Sequence, residues 1–218
     1  MVSSWVRRET STAVLLCTAC GIADAIGYVY TGVFAANMTG NTVLAAISLA
    51  NGDFVLALER AFTLVTFFGG AMLGRMLLRI AGSSYLPLLV EALLLILSSS
   101  LPHQDSMVIP LVACAMGIQA TATTRFHGAA ISTVVMTTTL ARLAESTLDF
   151  LARHKVFARM SQSIPVALLL LTWTSYAAGA VLAVLLLKVT SVPLFASAVL
   201  VLAVSWSFRK QKVQIAGL

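Results

Sequence analysis

The amino-acid sequence predicts an all-α polytopic membrane protein with about six transmembrane helices, two short broken or re-entrant helices and two inverted internal repeats. Three observations predict this fold. First, 59% of the 218 residues are hydrophobic and 10% are charged, whereas a globular domain carries roughly 25% charged residues. Second, the apolar residues fall into runs long enough to cross a bilayer. Third, several of these runs, with the polar motifs beside them, occur twice in the same order.

Six apolar runs are candidate membrane spans, because a spanning helix needs about 20 predominantly apolar residues. In chain order they cover residues 12–33, 61–80, 85–101, 107–124, 164–187 and 191–208. The loops predicted between them are short and cover residues 51–60, 81–84, 102–106 and 153–163. Because no linker or change of composition interrupts the chain, we predict a single membrane domain over residues 1–218.

Two shorter segments, residues 41–50 after the motif NMTG and residues 137–151 after STVVM, determine the number of spans. If both cross the bilayer, the chain has eight spans, and four of its 14 basic residues lie outside, against the positive-inside rule. If both enter and return on the same side, six spans remain and only two basic residues lie outside. The first segment rises about 15 Å as a helix, half of the ~30 Å hydrocarbon core. Six spans with both termini cytoplasmic are therefore favoured, and eight spans are the alternative.

Self-similarity divides the chain into two repeats, residues 11–104 and 105–208. GIAD aligns with GIQA at an offset of 96 residues, MTGNT with MTTTL at 98, and GAMLG with GAVLA at 109. Each repeat holds three spans if the short helices re-enter, and an odd number of spans inverts the second repeat relative to the first. Inverted repeats recur in transporters, where broken helices present their N-termini to a polar solute near the midplane.

The same motifs carry a resemblance to a known family. The strings GIADAIGYVYTGVFAANMTGNTVLAAISLANGD, FFGGAMLGR and ACAMGIQATATTRF, followed by TVVMTTTLARLA, closely resemble the YoaK-like family of uncharacterised bacterial membrane proteins. The resemblance covers most of the chain and implies a polytopic inner-membrane protein without an assigned substrate. The family usually has Asn after GxQ, where Ala120 stands here, and TGT where residues 137–139 read TTT. The departures fall in the second repeat, which is therefore expected to be the less functional of the two.

The candidate substrate-binding residues are polar groups at the two broken helices and in the middle of the spans that precede them. They are Asp24, Tyr28, Asn37, Thr39, Gly40, Asn41, Thr42, Gln119, Thr137 and Thr138. A carboxylate at the bilayer centre, where Asp24 is expected, costs about 2.5–3.5 kcal/mol on insertion scales and is usually paired or hydrated. Asp24 is thus a candidate proton or cation relay or a substrate contact. The alternative is a structural hydrogen bond, either to Tyr28 or to the backbone of the broken helix.

Other polar and reactive residues favour structural interpretations. Glu91 lies near one end of its span, where a snorkelling position or an interhelical partner is favoured over a transport role. Cys17 and Cys20 have CxxC spacing, but without a second ligand pair they indicate an inert helix face. The histidines are dispersed, so we predict no metal, no cofactor and no catalytic residues.

Small residues recur four apart at Gly70 and Gly74 and again at Gly179 and Ala183. Such faces permit close helix packing, either within the bundle or across a homodimer.

Together these features predict a small-solute transporter or channel in the inner membrane of a bacterial cell. The predicted partners are the lipid bilayer and an unknown small polar solute, and nucleic acid is not among them, since the basic residues are scattered. One alternative is a membrane scaffold or assembly protein without transport activity. A membrane enzyme acting on lipid-borne substrates is a weaker alternative. Its candidate residues, Glu145, Asp149 and His154, lie on a charged helix face that usually forms a solvated salt-bridge network.

Overall fold

The computed structural model describes residues 2–102, 105–122, 125–126, 129–130, 136–151 and 166–209. These residues form eight helices: α1 (Val2–Thr31), α2 (Met38–Ala50), α3 (Phe54–Ala81), α4 (Tyr85–Ser100), α5 (Val108–Ala122), α6 (Met136–Leu151), α7 (Val166–Leu186) and α8 (Leu194–Phe208). Two-residue strands, β1 (Arg125–Phe126) and β2 (Ala129–Ala130), pair antiparallel between α5 and α6. The predicted all-α polytopic fold is confirmed. The predicted basic loop over residues 153–163 lies outside the described residues.

Among the described residues, three helices are long and apolar enough to cross a membrane, over Arg8–Thr31, Phe54–Ala81 and Val166–Leu186. The helices α4, α5 and α8 are apolar but have 15 or 16 residues, which rise about 23 Å. The prediction of a loop over residues 51–60 is wrong, because α3 begins at Phe54. Asp53 caps this helix by accepting a hydrogen bond from the Leu56 N–H at 3.1 Å, and Gly52, at φ 80°, makes the tight turn before it.

Contacts between side chains and backbone fix the directions of α1, α5 and α8. The Gln119 amide on α5 donates to the Leu16 carbonyl at 3.2 Å, while at the other end of α1 a Cβ placed on Gly27 would stand 3.4 Å from Ile109. The two helices therefore run antiparallel. Helix α8 is also antiparallel to α1, because Ser197 donates to the Ala19 carbonyl at 2.9 Å and the guanidinium of Arg8 lies over the ring of Phe208, 5.2 Å from its centre. The beginning of α1 and the end of α8 thus lie on one face of the bundle.

Helices α4 and α8 run antiparallel as well. Ser205 donates to the Tyr85 carbonyl at 2.9 Å at one end of the pair, and Ser99 and Ser191 line the same small cavity at the other end. Ser84, just before α4, donates to the carbonyl of the last residue of α5 at 2.7 Å. The turn over residues 82–84 therefore lies on the same face as the beginning of α1 and the end of α8, whereas the turn over residues 51–53 lies on the opposite face.

The first of two close helix crossings joins α1 and α7. A Cβ placed on Gly21 would stand 2.1 Å from the carbonyl oxygen of Tyr176, and one on Gly179 would stand 2.2 Å from that of Thr18. These distances leave no room for a side chain. Only glycine permits the two backbones to approach so closely.

The second crossing joins α3 and α5 with equivalent contacts. A Cβ on Gly117 would stand 2.1 Å from the carbonyl oxygen of Phe67, and one on Gly70 would stand 2.1 Å from that of Cys114. All four positions correspond to those of the first crossing. Residues of α1 and α5 are related by an offset of 96, and residues of α3 and α7 by an offset of 109. These are the offsets at which the sequence motifs align.

The small-residue faces predicted from sequence are used within the bundle. Gly70, Gly74, Gly179 and Ala183 are all buried, and the first three have backbone atoms of a neighbouring helix against them. A homodimer would therefore need a different surface.

We expect Gly70→Ala to lower the free energy of unfolding by about 1–3 kcal/mol, the usual cost of overpacking a close contact. The matched control is Gly69→Ala, since a Cβ at Gly69 would meet nothing within 4 Å. Thermal unfolding of the detergent-solubilised protein, monitored by size-exclusion chromatography, measures the difference between the unfolding midpoints of the two variants. Equal midpoints for the two variants would contradict the close crossing.

The directions of the helices predict which turns share a side of the membrane. In a background without native cysteines, Asn51→Cys and Ser191→Cys should react with an impermeant maleimide in the same preparation, either intact cells or inverted vesicles. Ser83→Cys should react only in the other preparation. Labelling of positions 51 and 83 from the same side would contradict this arrangement.

Candidate functional site

The chain folds back on itself directly after α1. Gly32, at φ 67°, reverses the chain, and the segment we call the elbow, residues 32–37, returns along α1 without helical structure. A Cβ on Gly27 would stand 2.8 Å from the Val33 carbonyl oxygen, and the Ala36 N–H reaches Asp24. Because Asp24 precedes the end of α1 by seven residues, the base of the elbow lies about 10 Å inside that end.

Helix α2 then turns back toward the side on which α1 ends. The Asn41 side chain binds both backbone groups of Phe34: it accepts from the N–H at 2.9 Å and donates to the carbonyl at 2.7 Å. Beyond this point, Arg60 on α3 donates to the Leu44 carbonyl at 2.7 Å and to the Ser48 hydroxyl. Its guanidinium lies 3.9 Å from a Cβ placed on Gly32. The later part of α2 is therefore level with the end of α1, as a re-entrant helix requires.

Asp24 holds the base of the elbow. One carboxylate oxygen accepts from the N–H groups of Ala36 at 2.6 Å and Asn37 at 3.2 Å, and the other accepts from the Tyr176 hydroxyl of α7 at 2.7 Å. The side chain is 3% exposed. The sequence offered two structural hydrogen bonds for Asp24, and the one to the backbone before the broken helix is present. The bond to Tyr28 is not, because that ring stacks on Phe34 with centroids 4.7 Å apart and is half exposed.

The N-terminus of α2 is polar and open. Asn37 caps the helix by accepting from the Gly40 N–H at 3.0 Å. A Cβ on Gly40 would stand 2.9 Å from the side-chain nitrogen of Asn37. Thr42 donates to the Met38 carbonyl at 2.9 Å. The side chains of Asn37, Thr39 and Thr42 are exposed although they follow the deepest point of the elbow.

The predicted binding residues thus separate into two groups. Asp24, Asn41 and Gln119 are buried and hydrogen-bonded to backbone, so they position the chain. The others are exposed or partly exposed, and Thr137 and Thr138, at the start of α6, are among the exposed ones. The predicted residues of α2 and those of α6 have different neighbours, because α2 packs on α3 whereas α6 packs on α7.

Asp24 and Tyr176, the polar anchor of the elbow, correspond to apolar residues in the other half of the described chain. At the offsets of 96 and 109, Ala120 corresponds to Asp24 and Phe67 corresponds to Tyr176. The short helices nevertheless bury the same positions: α2 buries Asn41 and Ser48, and α6 buries the residues 98 positions later, Thr139 and Ser146. The two short helices are therefore packed alike, with a charged anchor beside only one.

Two residues that hold the elbow and α2 in place were missed from sequence. Tyr176 lies in an apolar run and shows its role only through α7 packing on α1. Arg60 was assigned to a loop, but Asp53 before an apolar run is a helix-start signal that places Arg60 inside α3.

Glu91 departs from its expected environment. It lies on the buried face of α4 and is 0% exposed, so it does not snorkel. Within the described part of the chain neither carboxylate oxygen has a hydrogen-bond partner.

The cysteines Cys17, Cys20 and Cys114 are free thiols, and the first two are buried. Among the described residues no group of three His, Cys, Asp or Glu side chains is arranged to hold a metal ion.

Comparison with known proteins places these features in a family. Residues 12–207 match the family described as "Protein of unknown function (DUF1275)". The chain is 33% identical over 186 residues to the "UPF0700 transmembrane protein YoaK" of Bacillus subtilis (strain 168). The aligned region covers 78% of this chain and 80% of that protein. No solved structure matches the chain.

The anchor predicts a coupled response to mutation. Asp24→Ala leaves the elbow N–H groups unpaired, at about 1–3 kcal/mol for each buried donor, whereas Tyr176→Phe removes one bond and should cost about 1–2 kcal/mol. In the Asp24→Ala background, Tyr176→Phe should have little further effect. Chemical unfolding of the four proteins of this double-mutant cycle in detergent measures the coupling. Additive losses would mean that the hydroxyl and the carboxylate do not act together.

Proposed function

Since the chain belongs to the family described as "Protein of unknown function (DUF1275)", we propose a function from the geometry of its elbow: it is a transporter or channel for a small polar solute. The predicted YoaK-like resemblance is confirmed by the identity to a transmembrane relative, and the chain is an integral membrane protein. The substrate class and the activity are our proposal.

The observation that carries the proposal is the depth at which α2 begins. Non-helical backbone at membrane depth is tolerated only where it is buried in protein or lines a water-filled cavity. In the elbow, Ala35 and Ala36 are buried, while the next polar side chains, Asn37, Thr39 and Thr42, are exposed. Exposed hydroxyl and amide groups at that depth are unfavourable in lipid. We therefore place the solute path along the N-terminus of α2, as half-helix N-termini face polar solutes in transporters.

The arrangement of the repeats supports the same proposal. The helices that correspond under the repeat, α1 with α5 and α4 with α8, run antiparallel, and the two glycine crossings are equivalent. These contacts support two inverted repeats, over residues 11–104 and 105–208, within one membrane domain.

The charges support an orientation. Arg8, Arg75, Arg79 and Arg209 lie toward the face that holds the beginning of α1 and the end of α8, whereas Arg60 and Lys188 lie toward the other. By the positive-inside rule, we propose that both termini are cytoplasmic in the inner membrane of a bacterial cell.

The two alternatives have less support. A scaffold or homodimer through the small-residue faces is disfavoured, since those faces pack inside the bundle. For an enzyme acting at the membrane surface, Glu145 is exposed on α6, while His154 and the side chain of Asp149 lie outside the described residues. We favour transport because α2 begins at membrane depth with the polar side chains of Asn37, Thr39 and Thr42 exposed.

Cysteine accessibility tests whether the α2 N-terminus faces water. In liposomes containing a protein without native cysteines, Thr39→Cys and Thr42→Cys should react with a hydrophilic methanethiosulfonate about tenfold or more faster than Ile47→Cys, since the reactive thiolate forms in water. Ile47 is the matched control, because it is exposed on the same helix but apolar. If all three cysteines are equally unreactive, position 39 does not line an aqueous path.

Solute flux then tests the activity itself. A panel of labelled small ions and neutral metabolites is loaded into the same proteoliposomes, and release of at least one solute is expected. Modification of Thr39→Cys should reduce that release, whereas the same treatment of Ile47→Cys should leave it unchanged. If no solute in the panel is released faster than from protein-free vesicles, the transport proposal fails.

A further inference from the structure

The most deeply buried acid of the bundle is not part of the elbow. Glu91 is 0% exposed on α4, and its two carboxylate oxygens have no hydrogen-bond partner among the described residues. Asp24, by contrast, has donors on both of its oxygens. The two acids therefore have opposite environments, one saturated with donors and one without them.

The neighbours of Glu91 are predominantly apolar. Its own helix presents Leu88, Ala92 and Leu95 on the same buried face. Helix α8, which packs against α4, contains no ionisable residue, and α5 contributes only Cys114. Helix α1 contributes the buried thiol of Cys20 to the same hydrophobic core.

Helix α3 also packs on α4, but its charges are directed elsewhere. Arg60 is bonded to α2, and the other ionisable residues of α3 are exposed: Glu59, Arg75 and Arg79. An ionised carboxylate in such apolar surroundings is far less favourable than the neutral acid. The neutral, protonated form is the one that this environment accepts.

We propose that Glu91 is a proton-binding site in the membrane interior, neutral in this conformation, that exchanges its proton with water. The use of this proton to drive solute movement rests on the function proposed above; the site itself does not. Two turns further along the same face of α4, Ser98 and Ser99 line a cavity of about 10 Å³ with Tyr30, large enough for about one water molecule. We place the route of the proton to water through this cavity. Leu95, which is 0% exposed, lies between Glu91 and that cavity.

Infrared spectroscopy of the full-length protein in lipid bilayers tests the site directly. At neutral pH we expect the carbonyl stretch of a protonated carboxyl group, which shifts when H₂O is replaced by D₂O. Glu91→Gln should remove this band. Asp24→Asn and Glu145→Gln, at a donor-saturated and an exposed carboxyl, should retain it. If the band is absent from the wild type, survives in Glu91→Gln or never shifts in D₂O, the proposal is wrong.

Stability provides a second measurement. Glutamine has nearly the shape of neutral glutamic acid, so Glu91→Gln should unfold at the temperature of the wild type. If Glu91→Gln does not fold, Glu91→Asp keeps a carboxyl group and should displace the band rather than remove it; an undisplaced band then contradicts the assignment to Glu91.

A pH gradient across the proteoliposome membrane separates the site from its use. Gradient-stimulated solute flux in the wild type, lost in Glu91→Gln, supports proton coupling. Flux that ignores the gradient overturns coupling but leaves transport intact. The infrared result stands independently of whether any solute moves.

Discussion

Every backbone N–H and C=O within a bilayer needs a hydrogen-bond partner, and a chain that leaves the helical conformation at that depth must obtain its partners from the surrounding protein or from water. The elbow meets this requirement with two residues. Asp24 takes the N–H groups of Ala36 and Asn37, and Asn41 takes both backbone groups of Phe34. The depth of α2, the return of the chain to its side of entry and the polar surface at the helix N-terminus all depend on these bonds.

The two halves of the bundle share their packing but not their polar chemistry. Packing depends on positions where only glycine fits, and these glycines occur at equivalent places in both crossings. The polar pair Asp24 and Tyr176 is replaced by Ala120 and Phe67 in the other half. The pair that fixes the elbow therefore lies in one half of the described bundle.

The two buried acids have different environments. Asp24 is bound by three donors from two elements, which suits a carboxylate that holds the elbow and α7 together. Glu91 is surrounded by apolar side chains, which suits a group that gains and loses a proton. Both acids are buried within the same bundle. Position in the span alone would have ranked them in the opposite order for a role in transport.

Composition and spacing determined the membrane class, the approximate positions of eight helices, the short length of α2 and the pairing of the repeat motifs, because apolar runs and glycine positions are local properties of the chain. Partners distant in sequence were decided only by the tertiary structure. Tyr176 reaches Asp24 from 152 residues away, and Arg60 reaches α2 because the helix that carries it begins seven residues earlier than its apolar run suggests. Whether a buried acid is paired or isolated depends on the helices that pack around it, and a pattern along one helix does not contain that information.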